Sequence, residues 1–284
     1  VYGQAAIAAC AQTEKSAPDE IPELKPKGKD EVRCLVTGGA GFIGSNLVDE
    51  LVRLNCVVIV VDNLSTGKKE NLNPKALFFQ YDIRDLEKIK PLFKDVDFVF
   101  HLAAFPRVQP SIEDPVTAND INLNGTLNVL IAARDAKVRR VVYSASSSAY
   151  GMQETMPLKE DMPTHPLSPY GLQKLIGEQY CQLFSDIYGL PTVSLRYFNI
   201  YGPRQALEGA YCLVMGIFVR QRLAGKPMTI TGDGEQRRDF TFVGDAVRAN
   251  IQAARSQEVG KGEVINIGRG RNFSMNELAK IIGG

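Results

Sequence analysis

Between Cys34 and Leu51 the chain passes from an apolar run, Cys34-Leu35-Val36, through Thr37-Gly38-Gly39-Ala40-Gly41-Phe42-Ile43-Gly44 and into Ser45–Leu51. The apolar residues of that last part recur at helical spacing. The order predicts a strand, a tight turn and a helix. Glycines 39, 41 and 44 satisfy G-x-G-x-x-G, and glycines 38, 41 and 44 give the wider G-x-x-G-x-x-G. Such glycines turn the chain, let backbone approach a pyrophosphate, and allow close packing of helix on strand. The helix start then offers unpaired N–H groups and a positive dipole end to phosphates. Glycine-rich turns also arise for purely structural reasons, so the next element is needed to tell the two apart. Val57–Val61 reads as a second buried strand ending in Asp62, at the distance expected of an acid that bonds the adenosine ribose. A carboxylate there would repel a 2′-phosphate. A dinucleotide is therefore expected, NAD rather than NADP, with Lys68-Lys69 the one opposing feature.

Strands and helices keep alternating downstream. Ala76–Phe79, Phe98–Leu102, Val141–Tyr143 (running into Ser144–Ser148) and Thr192–Tyr197 read as strands; Leu86–Phe93, Pro115–Ala136 and Tyr170–Tyr188 read as helices. This alternation predicts an α/β fold, a doubly wound parallel sheet with helices on both faces. Past residue 200 the pattern breaks into loops and short elements: helices at Val214–Ala224 and Asp245–Ala254, strands at Met228–Ile230 and Val264–Ile267. We expect a leader over 1–30, a nucleotide-binding domain over 31–200 and a smaller substrate lobe over 201–284. Loops at Gly202–Gly209 and Thr231–Arg238 would face the crevice at the strand ends.

With 284 residues and a net charge of +1, the chain has ordinary globular bulk and no basic block suited to nucleic acid. No apolar run approaches membrane-spanning length. Its five cysteines form no C-x-x-C pair, which points to a reducing compartment, the cytoplasm. The two histidines argue against a His-built metal site. Residues 1–30, first Ala-rich and then Pro- and Lys-rich, read as a flexible leader. The chain opens on Val1 and stops at Gly284 within a helical pattern, as a fragment would.

The chemistry concentrates in two stretches. In Tyr170-Gly171-Leu172-Gln173-Lys174, positions i and i+4 share a helix face, so an ammonium can lie near a phenol. A free phenol, with a pKa near ~10, is a poor base at neutral pH. A neighbouring cation favours the phenolate. The same spacing also occurs as a packed Tyr with a solvated Lys, and it gains meaning only downstream of the glycine fingerprint. Ser144-Ala145-Ser146-Ser147-Ser148 ends a strand, where hydroxyls could bond a sugar oxygen or simply satisfy their own turn.

Joined by His101-Leu102-Ala103-Ala104, Asn122–Thr126, Arg196–Asn199, Gly232-Asp233-Gly234 and Arg238-Asp239-Phe240, these motifs make residues 32–282 resemble the extended short-chain dehydrogenase/reductases. Within them the likeness is to the nucleotide-sugar epimerase/dehydratase group, and most to UDP-hexose 4-epimerases. The resemblance implies a Rossmann fold, NAD as cofactor, a UDP-sugar substrate and a homodimer built on the helices near 115–136 and 170–188. It implies that Gly38, Gly41, Phe42, Ile43 and Gly44 hold the pyrophosphate. Asp62 and Asn63 would hold the adenosine ribose, with Ser65, Thr66 and Gly67 also on the cofactor. Asp82 and Ile83 would flank adenine, and Leu102, Ala103 and Ala104 would line the cofactor path. Lys174 would reach the nicotinamide ribose, Tyr197 would lie beside the nicotinamide, and Ser146 and Tyr170 would contact the sugar 4-hydroxyl. Ser147 and Ser148 would lie near the sugar, Asn199 and Arg238 on the diphosphate, and Val214 and Thr229 by the nucleoside. Catalysis would fall to Ser146, Tyr170 and Lys174. Dehydratases or decarboxylases on the same scaffold are the alternative, and a non-catalytic NAD-binding protein a further one. Similar dehydratases carry acidic groups after the serine, where this chain has Ser147 and Ser148.

Overall fold

The computed structural model describes residues 31–207 and 212–283. The leader over 1–30 and residues 208–209 of the expected crevice loop lie outside the described residues. The chain runs β1 (Arg33–Thr37), α1 (Phe42–Arg53), β2 (Val57–Val61), β3 (Leu77–Phe79), α2 (Leu86–Ile89), β4 (Phe98–His101), α3 (Val108–Glu113), α4 (Pro115–Asn119), α5 (Thr126–Asp135), β5 (Arg140–Ser146) and α6 (Pro169–Tyr188). It continues with β6 (Thr192–Tyr197), β7 (Ile200–Tyr201), α7 (Val214–Leu223), β8 (Arg237–Asp239), β9 (Thr241–Phe242), α8 (Val243–Arg255), β10 (Lys261–Ile267), β11 (Asn272–Ser274) and α9 (Met275–Ile282).

Side-chain alternation along the strands decides the layering. Cys34, Val36, Val58 and Val60 pack on one face of the sheet with Leu47, Leu51, Val247 and Ile251. Leu35, Ile59, Val61 and Val99 pack on the other with Ile89, Phe93, Leu130 and Phe184. Strands apolar on both faces must be covered on both, so α1 and α8 lie on one side and α5 and α6 on the other. The seven-stranded sheet is ordered β3-β2-β1-β4-β5-β6-β10, and every pairing in it is parallel. Strand order reverses between β1 and β4. In open sheets of this kind the ligand crevice lies at that reversal, outside the carboxyl ends of the strands.

Three expectations need correction. The single helix expected over 115–136 is α4 and α5 joined by a π-helical turn, Asp120–Gly125. That turn carries the buried Asn122, which bonds the Phe105 backbone and Gln173 rather than continuing a regular ladder. Met228–Ile230 is no strand, because the Thr229 N–H donates to the Gln221 side chain of α7 at 3.0 Å instead of to a neighbouring strand. The boundary at residue 200 does not divide the chain cleanly. α8 packs on the large sheet, and β10 pairs with β6 as its seventh strand. The lobe proper is smaller, and its core is Tyr201, Met215, Phe218, Val219, Phe240, Met275 and Leu278.

Candidate active site

The first part of the site is a cradle without room for side chains. Gly38 has φ 72°, and a Cβ there would lie 2.7 Å from the Ala103 backbone nitrogen, across the strand-order reversal. A Cβ on Gly44 would run into the carbonyl oxygen of Gly38. That carbonyl already accepts the Gly41 N–H at 3.1 Å. Phe42 and Ile43 open α1, which no side chain caps, so its first-turn N–H groups remain for a ligand. The opposite wall is Leu102, Ala103 and Ala104. The Leu102 N–H donates to the Thr37 carbonyl at 3.1 Å and the Ala103 N–H to the Thr37 hydroxyl at 3.2 Å.

At the end of β2, Asp62 is buried. Its two carboxylate oxygens accept the Ala40 N–H at 3.0 Å and the Leu64 N–H at 2.8 Å. Burial raises its pKa, against the pull of those two N–H groups. Gly67 is required here, since a Cβ would lie 2.9 Å from both carboxylate oxygens. Each oxygen keeps a second lone pair for a ribose hydroxyl. Asn63, exposed like Ser65 and Thr66, accepts the Ser65 N–H and donates to Asp82 at 2.8 Å. Hydrogen bonds from Arg84 hold the Asp82 carboxyl down at about 2. The buried Ile83 fills the space left by Gly125 of the π turn. A cradle that excludes Cβ atoms, an uncapped helix start and a fixed acid on the next strand fit a dinucleotide.

A buried polar chain ties these walls to α6. Thr126 donates its hydroxyl to the Asn122 carbonyl at 2.7 Å, so it accepts from His101 Nε2 at 2.9 Å. His101 Nδ1, 2.7 Å from the Thr37 hydroxyl, is then the acceptor. Burial, assisted by the charge of Lys174, pushes the His101 pKa down to about 3, so the imidazole is neutral. From Asn122 the chain continues to Gln173 on α6 at 2.7 Å.

Helix α6 begins at Ser168, whose hydroxyl accepts the Gly171 N–H at 3.1 Å, followed by Pro169 in the first turn. Gly171 lets the helix close on the turn after β5, where a Cβ would lie 2.7 Å from the Ser148 carbonyl oxygen. This docking brings Tyr170 to Ser146. Burial raises the phenol pKa, opposed by a hydrogen bond with Ser146 and by the charge of Arg107. Ser146 is buried and accepts the Ser148 N–H at 3.2 Å, with Ser147 and Ser148 half-buried beside it. Lys174 shares the helix face, but its ammonium donates to the Ser144 carbonyl at 2.7 Å and lies 4.9 Å from the Tyr143 ring centroid. Burial lowers its pKa to about 8. Behind it a buried bidentate pair, Glu178 with Arg196, joins α6 to β6. The Tyr197 hydroxyl lies 3.1 Å from the Ser144 hydroxyl and accepts from Asn250 of α8 at 2.6 Å.

The lobe residues are less tightly held. Asn199, at φ 29°, donates to the Asp239 carbonyl. Val214 opens α7 half-buried, and Thr229 is exposed. Arg237 is committed to Glu277 and Asn272. Arg238, also exposed, donates to the carbonyl of Arg237 at 2.8 Å. Two features of the site are absent from the sequence-based expectations. His101, Asn122–Thr126 and Gln173 each lie in a motif named from the sequence, but that they bond one another across three segments leaves no mark in the spacing. Arg107 follows β4 in Ala103-Ala104-Phe105-Pro106-Arg107, and a charge just past a strand end was the available signal.

The family model described as "NAD dependent epimerase/dehydratase family" matches residues 34–268. A UDP-glucose 4-epimerase of Mycolicibacterium smegmatis is 40% identical over 261 residues, covering 89% of this chain and 82% of its own. The crystal structure of a UDP-glucose 4-epimerase from Thermotoga maritima with UDP-glucose is similar, with a TM-score of 0.84 at 43% identity, covering 88% of this chain and 81% of that one. A UDP-N-acetylglucosamine 4-epimerase from Methanobrevibacter ruminantium, solved with UDP-N-acetylmuramic acid, gives a TM-score of 0.84 at 39% identity over 89% of this chain and 81% of its own.

Proposed function

Because the chain belongs to the NAD-dependent epimerase/dehydratase family, we propose that it is a 4-epimerase of UDP-hexoses, UDP-glucose and UDP-galactose or their N-acetylated forms. The observation that carries this reading is the meeting of Tyr170 and Ser146 at the carboxyl end of β5, beside a cradle that excludes side chains. Bound NAD supplies the hydride acceptor and donor for carbon 4 of the sugar. Gly38, Gly41 and Gly44 bring backbone against its pyrophosphate, and Asp62 takes the ribose hydroxyls. Tyr170 removes the proton of the 4-hydroxyl, directly or through Ser146, and returns it after the sugar has presented its other face. Lys174, protonated and fixed by the Ser144 carbonyl, supplies the positive charge behind that proton path. Arg238, which has no acidic partner among the described residues, takes the diphosphate, with Asn199 on the same side. Val214 and Thr229 then flank the nucleoside.

The stretch after Ser146 favours epimerisation over dehydration. Ser147 and Ser148 cannot serve as the carboxylate acid and base that elimination across carbons 5 and 6 needs, help worth about 10²–10⁴-fold. Product analysis after incubation with UDP-sugars in deuterated water tests this. The expected product is the C4 epimer with carbon 5 unlabelled; deuterium at C5 or a deoxy sugar would replace the reading with a dehydratase.

The same reading includes a homodimer. Val116 of α4 and Leu172 and Ile187 of α6 are 78%, 47% and 65% exposed, an apolar surface suited to a second copy. Sedimentation velocity of the protein, and of a Val116→Glu, Ile187→Glu variant, tests that assembly. Cytoplasmic residence is consistent with cysteines 34, 56, 181 and 212, none of which is in a disulfide. Among the described residues no helix is long and apolar enough to cross a membrane.

A further inference from the structure

Arg107 is anomalous in two independent ways. Its backbone has φ 83° and ψ 149°, at the edge of a region that side-chain-bearing residues rarely enter. Its guanidinium Nε is buried without a hydrogen-bond partner, and among the described residues no carboxylate pairs with the group. Burial lowers its pKa, yet a guanidinium remains charged at neutral pH. The side chain as a whole is half-buried, but a guanidinium nitrogen held away from water without a partner is costly, and backbone strain of this kind concentrates at ligand sites.

The location is set by its neighbours. Arg107 precedes α3, whose Ser111 hydroxyl accepts the Tyr170 N–H at 3.1 Å, so the loop after β4 is fastened to the start of α6. The guanidinium interacts electrostatically with the phenol of Tyr170 and the thiol of Cys212, one across the sugar end of the crevice and the other on the lobe side. If Tyr170 works on the 4-hydroxyl, the substituents nearest to it are those on the adjoining ring carbons, 3 and 5. We propose that Arg107 recognises a carboxylate on one of them. The site would then favour a nucleoside-diphosphate hexose that is itself acidic, either a uronic acid or a sugar ether-linked to a carboxylic acid. This inference rests on the sugar-binding role proposed above and moves the preferred substrate from the neutral UDP-hexoses named there to their acidic counterparts. A guanidinium is suited to the task, since it presents paired donors in the plane of a carboxylate.

Calorimetric binding to the NAD-loaded protein tests this with two matched pairs: UDP-glucuronic acid against UDP-glucose, and UDP-N-acetylmuramic acid against UDP-N-acetylglucosamine. The wild-type protein should prefer the acidic member of at least one pair. Arg107→Gln should lower that acid-to-neutral affinity ratio roughly ten- to hundredfold, the effect expected for a charge-assisted hydrogen bond. Arg107→Gly removes the same cation while relieving the backbone, and it should lower the ratio equally with a raised melting temperature. Three results, the last read from a turnover assay run beside the calorimetry, would overturn the proposal: no acidic preference in either pair, an equal loss for acidic and neutral sugars and for UDP alone, or unchanged binding with a loss confined to kcat and a displaced pH profile. The second marks a phosphate contact and the third support of the Tyr170 phenolate. Because binding is read without turnover, failure of the 4-epimerase reading appears separately, as a bound sugar that yields no C4 epimer.

Discussion

The cofactor end and the nucleotide end of the site are built by opposite means. Around β1, β2 and β4 the walls are backbone, and the fit comes from what is missing. A methyl group at Gly44 would strike a carbonyl oxygen, and one at Gly38 would press on the Ala103 nitrogen. Seven parallel strands hold these atoms in place. Around β8 and α7 the candidate ligand groups are long side chains on short elements, and Thr229 and Arg238 are exposed. The lobe core that supports them is one small cluster. A rigid backbone cradle suits a cofactor that stays, whereas exposed arginine and threonine suit a ligand that enters and leaves each cycle.

That contrast breaks most sharply at Gly44. Gly44→Ala should yield protein purified without NAD and without turnover, with a stability loss at the upper end of the ~1–3 kcal/mol typical of overpacking. Absorbance of the released cofactor and a melting curve measure both effects; a variant that retained its NAD would show the cradle to be looser than the contacts imply. Tyr170→Phe leaves the cradle intact and should keep NAD and UDP binding while turnover falls about 10²–10⁴-fold. Near wild-type turnover would move the proton path to another group. Arg238→Ala, at the opposite end, should weaken UDP-sugar binding by roughly ten- to hundredfold with NAD content unchanged. Equal losses of both ligands would instead give Arg238 a structural role.

The smallest expected effect concerns Lys174, whose folded pKa of about 8 lies below its ordinary 10.5. Between those values the unfolded chain holds a proton that the folded chain has released, so stability rises with pH across that window. Below pH 8 the full cost of the buried charge is present. Lys174→Met should therefore be more stable than the native protein at about pH 7, and the gap should close by about pH 10. Turnover should move the other way, falling about tenfold per pH unit above about 8 as the cation is lost. Denaturant titrations at both pH values, beside a pH–rate profile, separate the two trends. A gap that widened with pH would mean that the fold stabilises the Lys174 cation, holding its pKa above the ordinary 10.5.

Some of this is legible in the sequence alone. The glycine spacing, the acid after β2, the Tyr170–Lys174 pair and the strand–helix alternation are local or periodic patterns, and backbone sterics translate such patterns directly into structure. The limits are equally physical. Pro115–Ala136 has unbroken helical periodicity, yet the tertiary bonds of Asn122 drew an extra residue into a π turn. Met228–Ile230 has the composition of a strand, but Gln221 of α7 took its backbone N–H. The chain near residue 200 changes character, yet α8 and β10 return to the sheet because their apolar faces are buried only there.

The sequence by itself determined the class of fold and the chemistry available at two motifs, since both depend on residues within a few positions of one another. Only the tertiary structure decided that the Lys174 ammonium bonds the Ser144 carbonyl, that His101 is neutral, and that the half-buried Arg107 guanidinium acts on Tyr170 with no carboxylate partner among the described residues. Those facts depend on burial and on partners brought together from distant segments. Burial sets the cost of a charge, and no spacing along the chain records it.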